Sequence, residues 1–335
     1  MVLPVLMILM SLFLGFPAMA EKLPIIFHKK YDISFWGLEK FHPFDSKKYG
    51  KVYRYLTNHV GLQPEQFYTP ARVTNADLLI VHTQDYLDSL NSSSTIARIA
   101  EVGVLSWVPN SWLQSAVLEP MRLATGGTVL GAQLALENGW AINLAGGYHH
   151  AKRESGDGFC FFADIPLAIN KLWQQNPDLK VMVVDLDAHQ GNGTESIIQD
   201  DPRVAIFDVY NSFIYPQDMD AKQYIRFDYP VRSGIADAQY LQLLDDHLAR
   251  AIDEFQPNLI IYNAGTDIFE HDKLGQMKIS AQGIIKRDAF VFGCARARSI
   301  SILMVLSGGY TMQSAEIIGK SIENLLKNVL KVVGQ

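Results

Sequence analysis

Three potential metal ligands follow a short apolar run near the middle of the chain. The run Val181–Val184 is typical of a buried strand, and Asp185, Asp187 and His189 come after it at alternate positions. Because side chains alternate along a strand, this spacing brings all three to one face if the extended conformation continues. Carboxylates and an imidazole on one face suit an oxygen-rich metal site, although the Asp-x-Asp pair alone favours a salt-bridged strand end. The histidine and the glycines after it favour the metal site.

Side chains capable of chemistry also follow three other predicted strands, at the point where each strand ends. They are His149 and His150 after a Gly-Gly turn, Asp267, and Tyr310 after another Gly-Gly turn. Ligands of open parallel sheets bind outside the carboxyl ends of the strands. We therefore expect these side chains to meet the segment 185–189 at one edge of a sheet.

The remaining pattern predicts the elements that bring these strand ends together. Short apolar runs predict strands at 23–27, 140–144, 181–184, 204–207, 259–262 and 299–306. Helical spacing predicts helices at 47–56, 96–104, 165–173, 240–255 and 315–333. A further helix is predicted to begin at the N-cap Thr125 and to stop at Asn138 and Gly139. Strands that alternate with helices predict a mostly parallel sheet covered by helices on both faces.

The residues at these strand ends suit the hydrolysis of an amide. Asp187, His189 and Asp267 would give zinc two oxygens and one nitrogen and leave a position open for water or substrate. Zinc lowers the pKa of bound water to about 7 and polarises a carbonyl. Either of the two adjacent histidines could accept the proton of that water and later protonate a leaving amine. Tyr310 could donate a hydrogen bond to the oxyanion.

Composition favours a globular α/β protein that does not bind nucleic acid directly. The 335 residues are 48% hydrophobic and 19% charged, which suits a globular α/β protein. The formal net charge is −6, so the composition does not show the excess of Lys and Arg that is typical of a nucleic-acid-binding surface. The two cysteines, Cys160 and Cys294, form no disulfide framework and are expected to be free buried thiols. No linker or internal repeat follows residue 20, so residues 21–335 are predicted to form a single catalytic domain.

The N-terminus has a different character from the rest of the chain. Residues 1–17 are almost wholly apolar, and Ala18-Met19-Ala20 has the form of a cleavage site. Residues 1–20 are therefore interpreted as a signal peptide, with a single N-terminal membrane anchor as the alternative. A cleaved signal predicts an exported protein, periplasmic or secreted, whereas a cytoplasmic protein is expected if this segment is not a signal. No membrane contact is predicted beyond it.

Residues 28–31 lead into an aromatic segment with Gly and Pro, over residues 36–45, which is predicted to be an ordered loop. His28 and His42 lie beside and within it and are further candidates for site residues. The alternative for each is a loop histidine packed on aromatic side chains.

Five segments together resemble the zinc-dependent histone deacetylase family. They are G-G-Y-H-H at 146–150, G-F-C at 158–160, D-L-D-A-H-Q-G at 185–191, A-G-T-D at 264–267 and G-G-Y at 308–310. The resemblance runs in order from about residue 24 to residue 330. Within the family, the sequence is most similar to class IV. Three segments have the class IV form: G-L-E-K-F-H-P-F-D at 37–45, H-Q-G-N-G at 189–193 and D-V-Y-N at 208–211.

The resemblance implies a fold and a zinc site. The fold is the three-layer α/β/α arginase/deacetylase fold, with a mostly parallel sheet of about eight strands. Zinc is expected on Asp187, His189 and Asp267. His150 is implied to be the general base, with His149 beside it as an electrostatic and acid partner.

The resemblance also assigns roles to the residues around that zinc site. Tyr310 is implied to polarise the substrate carbonyl. Asp185 is implied to orient His149 and, with a group near Asp208 and the backbone oxygens of residues 187 and 189, to hold a potassium ion. Four residues are implied to line the acyl tunnel: Gly158, Phe159, Tyr215 and Leu274.

Asn192 departs from many relatives, which have Asp at this position as the partner of the second histidine. A neutral amide raises the basicity of His150 less than a carboxylate does. Class IV members share this Asn, and the resemblance to class IV implies removal of longer fatty-acyl groups from lysine in a protein or peptide. Two alternatives stay open: a deacylase of a small amide such as an acylpolyamine, and a non-catalytic acyl-lysine-binding protein. The second is disfavoured because the ligands, both histidines and Tyr310 are all present.

Overall fold

The computed structural model describes residues 21–33 and 45–334. Its strands are β1 Ile25–Ile26, β2 Trp140–Asn143, β3 Val181–Asp185, β4 Val204–Asn211, β5 Phe227–Val231, β6 Leu259–Asn263 and β7 Ser301–Val305. Together they form one sheet in the order β1-β2-β7-β6-β3-β4-β5, in which every neighbouring pair is parallel. The predicted parallel sheet is therefore confirmed, with seven strands among the described residues.

The helices of the described residues connect these strands. The α-helices are α1 Lys48–Tyr55, α2 Asn75–Leu78, α3 Gln84–Ser89, α4 Ser93–Ile99, α5 Asn110–Leu113, α6 Glu119–Asn138, α7 Asp164–Trp173, α8 Asn192–Ile198, α9 Met219–Lys222, α10 Asp237–Phe255, α11 Ala281–Ala297 and α12 Ser314–Asn324. Turns of 3₁₀-helix lie at Pro64–Gln66 and Gly103–Trp107. Turns of π-helix lie at Leu56–Val60, Gln114–Leu118 and Leu325–Val329. No described helix is both long enough and apolar enough to cross a membrane.

The two faces of the sheet bury separate apolar clusters, which gives the three layers of the predicted α/β/α fold. Val181 and Val183 of β3 share a cluster with apolar residues of α6 and α7. Their neighbours Met182 and Val184 point the other way and belong to the cluster formed with α10, α11 and α12. Because both faces are covered, β3 is buried at every position, which explains its continuous apolar sequence.

Two sequence predictions concern the ends of the long helix α6. Thr125 is not an N-cap: it is buried inside α6, and its hydroxyl donates to the carbonyl of Met121 at 2.9 Å. A threonine can satisfy its hydroxyl on the preceding turn, so it does not mark a helix start by itself. The predicted end of this helix is confirmed, since Gly139 terminates it with a left-handed φ of 81°.

The sequence also failed to predict β5, the strand at one edge of the sheet. Its residues Phe227–Val231 include Asp228 and Pro230, which interrupt the apolar run that the other strands show. An edge strand tolerates both residues, because one side of its backbone forms no hydrogen bonds to a neighbouring strand. The signal-like segment 1–20 and His42 lie outside the described residues, so their predictions remain predictions.

Candidate active site

Three candidate metal ligands converge at the carboxyl ends of β3 and β6. Nδ1 of His189 lies 3.0 Å from Oδ1 of Asp187 and 2.9 Å from Oδ2 of Asp267. One ligand atom from each residue lies within 4.8 Å of the others, and all three side chains are buried. The structure therefore brings together the residues that the sequence selected for a metal site.

The electrostatics of this cluster fit a divalent cation. Burial and the charge of Asp187 raise the pKa of Asp267 to about 7. Two buried carboxylates side by side are costly when both are ionised, and a bound cation offsets that cost. Three imidazole and carboxylate ligands that leave a fourth position open to water or substrate are the arrangement that catalytic zinc takes.

The backbone holds these carboxylates in place from the neighbouring strand ends. Oδ2 of Asp187 accepts hydrogen bonds from the backbone N–H of Gly308 and from the hydroxyl of Ser307, each at 2.9 Å. The backbone N–H of Ala188 donates to Oδ1 of Asp267 at 2.9 Å. A Cβ at position 308 would lie 2.4 Å from Oδ2 of Asp267, so only glycine lets this turn approach the ligands so closely.

The two adjacent histidines reach the site from the end of β2 and have different partners. Nδ1 of His149 lies 2.9 Å from Oδ2 of Asp185, and Nδ1 of His150 lies 2.8 Å from Oδ1 of Asn192. Both pairs match those that the family resemblance implies. Asp185 is also bound by the side-chain amide of Asn263 at 2.9 Å, a contact that the sequence did not indicate.

The different partners separate the charges of the two rings. Burial lowers the pKa of His149, but the charges of Asp185 and Asp187 outweigh it and raise the pKa to about 9. Burial lowers the pKa of His150 well below its usual value, and the neighbouring His149 and His189 lower it further. The carboxylate partner thus favours the charged form of His149, whereas burial favours the neutral form of His150, a difference that suits acid–base catalysis.

Tyr310 stands over the same cluster at the end of β7. Its ring centroid lies 6.1 Å from that of His189, and its backbone N–H donates to Oδ2 of Asp272 at 2.8 Å. Burial and the charges of Asp267 and Asp187 raise the pKa of its phenol well above the usual value. The hydroxyl therefore stays protonated, as a hydrogen-bond donor must.

An outer cleft leads to these residues. The predicted tunnel residues Gly158, Phe159, Tyr215 and Leu274 all line it. Phe159 has a left-handed φ of 65°, and its ring packs edge-on against Tyr310 with centroids 5.8 Å apart. By contrast, His28 lines neither this cleft nor the cavity behind it: its Nδ1 accepts a hydrogen bond from the backbone of Lys30.

A mostly apolar inner cavity lies on the other side of the site. It shares His150, Gly158, Phe159 and Tyr310 with the outer cleft, so the two spaces meet at the candidate catalytic residues. Five apolar side chains form much of its wall: Ile33, Val102, Leu105, Val117 and Met121. No sequence pattern indicated this cavity, because its walls come from segments far apart in the chain.

Asp185 and Asp208 are neighbours across β3 and β4, near the candidate metal ligands. Oδ2 of Asp208 accepts the backbone N–H of Gly191 at 3.0 Å, and its buried carboxyl also meets the carboxyl of Glu195, with no N–H or hydroxyl donor on Oδ1 among the described residues. Burial and the charges of Asp185 and Glu195 raise the pKa of Asp208 well above its usual value. A buried oxygen without a donor is the type of group that a monovalent cation would satisfy.

Two fully buried basic side chains, which the sequence did not indicate, hold the loops of the site through hydrogen bonds to backbone carbonyls. Arg287 of α11 donates to the carbonyls of Leu186 and Gly265, at 3.1 and 2.6 Å, beside two of the candidate ligands. Lys48 of α1 donates to the carbonyls of Ser307 and Gly308, at 2.6 and 3.0 Å. Charged residues in helices usually face solvent, so only the packing reveals these two roles.

Similarity to known proteins identifies the family of this chain. Residues 42–327 match the family model of the histone deacetylase domain. Histone deacetylase 2 of Arabidopsis thaliana is 48% identical over 317 residues, which cover 95% of this chain and 82% of that protein. Histone deacetylase 1 of Homo sapiens is 27% identical over 290 residues, covering 82% of this chain and 58% of that protein.

The fold agrees with these sequence matches. The crystal structure of the HDA15 HD domain superposes with a TM-score of 0.74 at 19% identity, covering 94% of this chain and 91% of that one. The chain belongs to the histone deacetylase family, and its fold is the arginase/deacetylase fold expected from the sequence.

Proposed function

We propose that this protein is a zinc-dependent hydrolase that removes acyl groups from the side-chain amide of lysine in proteins or peptides. The observation that carries the proposal is the meeting of the Asp187–His189–Asp267 cluster, two differently charged histidines and Tyr310 between one open cleft and one apolar cavity. Membership of the histone deacetylase family supports the acyl-lysine substrate class.

Zinc on Asp187, His189 and Asp267 would act as a Lewis acid toward the substrate carbonyl and would lower the pKa of a bound water. His150 is neutral, so it can accept the proton of the attacking water. Its Nδ1 is engaged by Asn192, which leaves Nε2 for this role.

Two further groups stabilise the charge that develops on the reacting amide. The positively charged His149 is held beside the cluster by Asp185 and can protonate the leaving lysine amine. The phenol of Tyr310 can donate a hydrogen bond to the carbonyl oxygen as it becomes an oxyanion. The lysine side chain would reach these groups through the outer cleft, between Phe159 and Tyr215.

The inner cavity supports a preference for longer fatty-acyl groups over acetyl. An acetyl group would leave the apolar wall of this cavity uncovered, whereas a long hydrocarbon chain would bury its surface against that wall. Each buried methylene contributes about 0.8 kcal/mol to binding, so chain length should raise substrate affinity steeply.

Asp185 and Asp208 are the residues that we propose for a potassium site, together with backbone oxygens of Asp187 and His189. The buried carboxyls of Asp208 and Glu195, which meet without an N–H or hydroxyl donor between them, support this assignment. Potassium added to the ion-depleted protein should raise its melting temperature, and Asp208→Asn should remove that response.

Class IV membership and export also belong to the proposal. Asn192, the neutral partner of His150, supports the class. The apolar segment 1–20 supports export, and a mature protein that begins at Glu21 by mass spectrometry would establish cleavage, whereas an intact Met1 would contradict it.

The substrate proposal is tested by one assay of the full chain with three substrates: an acetyl-lysine peptide, a myristoyl-lysine peptide and an acylpolyamine. We expect the myristoyl peptide to have the highest kcat/KM. Val117→Phe, which fills the inner cavity, should reduce myristoyl removal while sparing acetyl removal. The matched control Ser115→Phe places the same ring on an exposed position of the same segment and should change neither rate.

Three results would contradict this proposal. A preference for the acylpolyamine would identify a small-molecule deacylase. Binding of acyl-lysine peptides without turnover would identify a non-catalytic binding protein. Equal loss of both activities in Val117→Phe, with a normal melting temperature, would show that the inner cavity does not hold the acyl chain.

A further inference from the structure

Asp218, which the proposed mechanism does not use, lies behind the partner of His150. It precedes α9, and its Oδ2 lies 3.2 Å from Nδ2 of Asn192. The side chains therefore form a line from Asp218 through Asn192 to Nδ1 of His150, with the second contact at 2.8 Å. A negative charge is thus present behind His150 but is separated from it by one amide.

Several hydrogen bonds fix the carboxylate of Asp218. Its Oδ1 accepts the backbone N–H of Ala221 as a helix cap at 3.0 Å, and its Oδ2 accepts a hydrogen bond from Nζ of Lys152 at 2.6 Å. The side chain of Gln190 bonds both the N–H and the carbonyl of Asp218, each at 3.0 Å. Gln190 follows His189 directly, so the segment that carries Asp218 is attached to the segment that carries the metal ligand.

Asp218 is ionised at neutral pH. Burial alone would raise the pKa of its carboxyl, but the hydrogen bonds from Lys152, Ala221 and Asn192 lower it to about 2. An ionised carboxylate can only accept hydrogen bonds. The group of Asn192 that faces Asp218 must therefore be its NH₂.

This constraint determines which nitrogen of His150 carries a proton. With its NH₂ on Asp218, Asn192 presents its carbonyl oxygen to Nδ1 of His150, and an oxygen acceptor requires a proton on that nitrogen. A neutral imidazole with its proton on Nδ1 has its lone pair on Nε2, as a general base needs. A flipped amide would donate to Nδ1 and leave the proton on Nε2.

We propose that Asp218 is a positioning residue that fixes the amide of Asn192 and thereby keeps the proton of neutral His150 on Nδ1. The inference rests on the proposed function only for its catalytic consequence; the position of the proton is a property of the protein itself. His149 needs no such positioning residue. Its partner is the carboxylate of Asp185, which accepts a hydrogen bond from Nδ1 through either of its oxygens.

Asp218→Asn tests this role with little structural change, because asparagine also caps helices well. We expect kcat to fall about tenfold, as is typical when a partner behind a site residue is removed, with KM for the acyl-lysine peptide unchanged. Asp220→Asn is the matched control: it removes the same charge from an exposed position of α9 and should leave kcat unchanged.

The double variant Asn192→Asp with Asp218→Asn provides a rescue. It places a carboxylate directly on His150 and an amide behind it, so that His150 again has only an acceptor at Nδ1. We expect kcat to return to within about threefold of the wild type. This is far above the kcat expected if the losses caused by the two single substitutions simply multiplied.

Nitrogen NMR of ¹⁵N-histidine-labelled full-length protein measures the proton position without substrate. The His150 signal, assigned by its loss in His150→Gln, should show one tautomer with the proton on Nδ1 in the wild type. In Asp218→Asn it should show a mixture of tautomers, at an unchanged melting temperature.

An unchanged tautomer together with kcat within about twofold of the wild type would overturn the inference. A wild-type protein that hydrolyses no acyl-lysine peptide would instead refute the proposed function. The NMR comparison would then still decide whether Asp218 controls the proton of His150.

Discussion

The two histidine arms of the site start from adjacent residues and end in opposite electrostatic surroundings. The inner arm joins His149 directly to the buried carboxylate of Asp185. The outer arm joins His150 to the amide of Asn192, with the half-buried Asp218 behind it. The pKa of His149 is raised to about 9, whereas that of His150 is well below its usual value.

This difference shows that sequence neighbours can be given separate tasks by their partners alone. A direct carboxylate stabilises the charged ring, and a neutral amide leaves its ring uncharged while still fixing its orientation. The inner arm is thus suited to hold a proton and the outer arm to accept one. Substitutions that remove or exchange these partners should affect the arms differently.

The largest effect is expected from His150→Ala, because it removes the proposed general base. General acid–base catalysis typically contributes about 10²–10⁴ in rate, so kcat should fall by about 10³. The measurement is hydrolysis of an acyl-lysine peptide followed by mass spectrometry. His28→Ala, a histidine outside both cavities, is the control and should be fully active. Full activity of His150→Ala would refute the assignment of the base.

Asp185→Asn should give an intermediate effect by weakening the inner arm. Loss of the carboxylate charge lowers the pKa of His149, so the ring loses its proton at a lower pH. We expect kcat to fall by about 10–100-fold and the alkaline limb of its pH profile to move to lower pH. The exposed Asp200→Asn should change neither. An alkaline limb that stays in place would show that His149 does not act in its charged form.

Lys152→Met should give the smallest effect, because Lys152 contacts Asp218, the residue of the outer arm that lies farthest from the reacting atoms. The ion pair between Lys152 and Asp218 is partly exposed, and such pairs contribute at most about 1 kcal/mol. We expect kcat to fall by less than about fivefold, with Asp218 still holding Asn192. Lys171→Met removes a comparable ion pair, to Asp77, that lines neither the cleft nor the inner cavity, and it should have no effect. A fall in kcat as large as that of His150→Ala would mean that Lys152, rather than Asp218, holds Asn192 against His150.

The sequence predicted the parts of the site that follow buried parallel strands. Such strands have long apolar runs, so the residues after β2, β3, β6 and β7 could be placed at one edge of a sheet from their pattern alone. The partners of the two histidines were expected from family resemblance, and the structure places both within hydrogen-bond distance.

The sequence could not predict contacts that depend on packing between distant segments. The helix α11 was missed, and the buried Arg287 and Asp288 within it look like surface charges in the sequence. Asp218 was missed for the same reason: only the fold shows that an acidic residue before a short helix reaches Asn192. The inner cavity likewise exists only once Val102, Val117 and Met121 are brought together.

The most direct test of the proposed function is zinc-dependent hydrolysis of a myristoyl-lysine peptide by the full-length chain. The protein is stripped with a chelator, and hydrolysis is measured before and after zinc is added back, for the wild type and for His150→Ala. We predict that zinc restores hydrolysis to the wild type and binds to His150→Ala without restoring activity. Equal hydrolysis by the stripped and the zinc-loaded wild type, or equal activity of both proteins with zinc, would contradict the proposal.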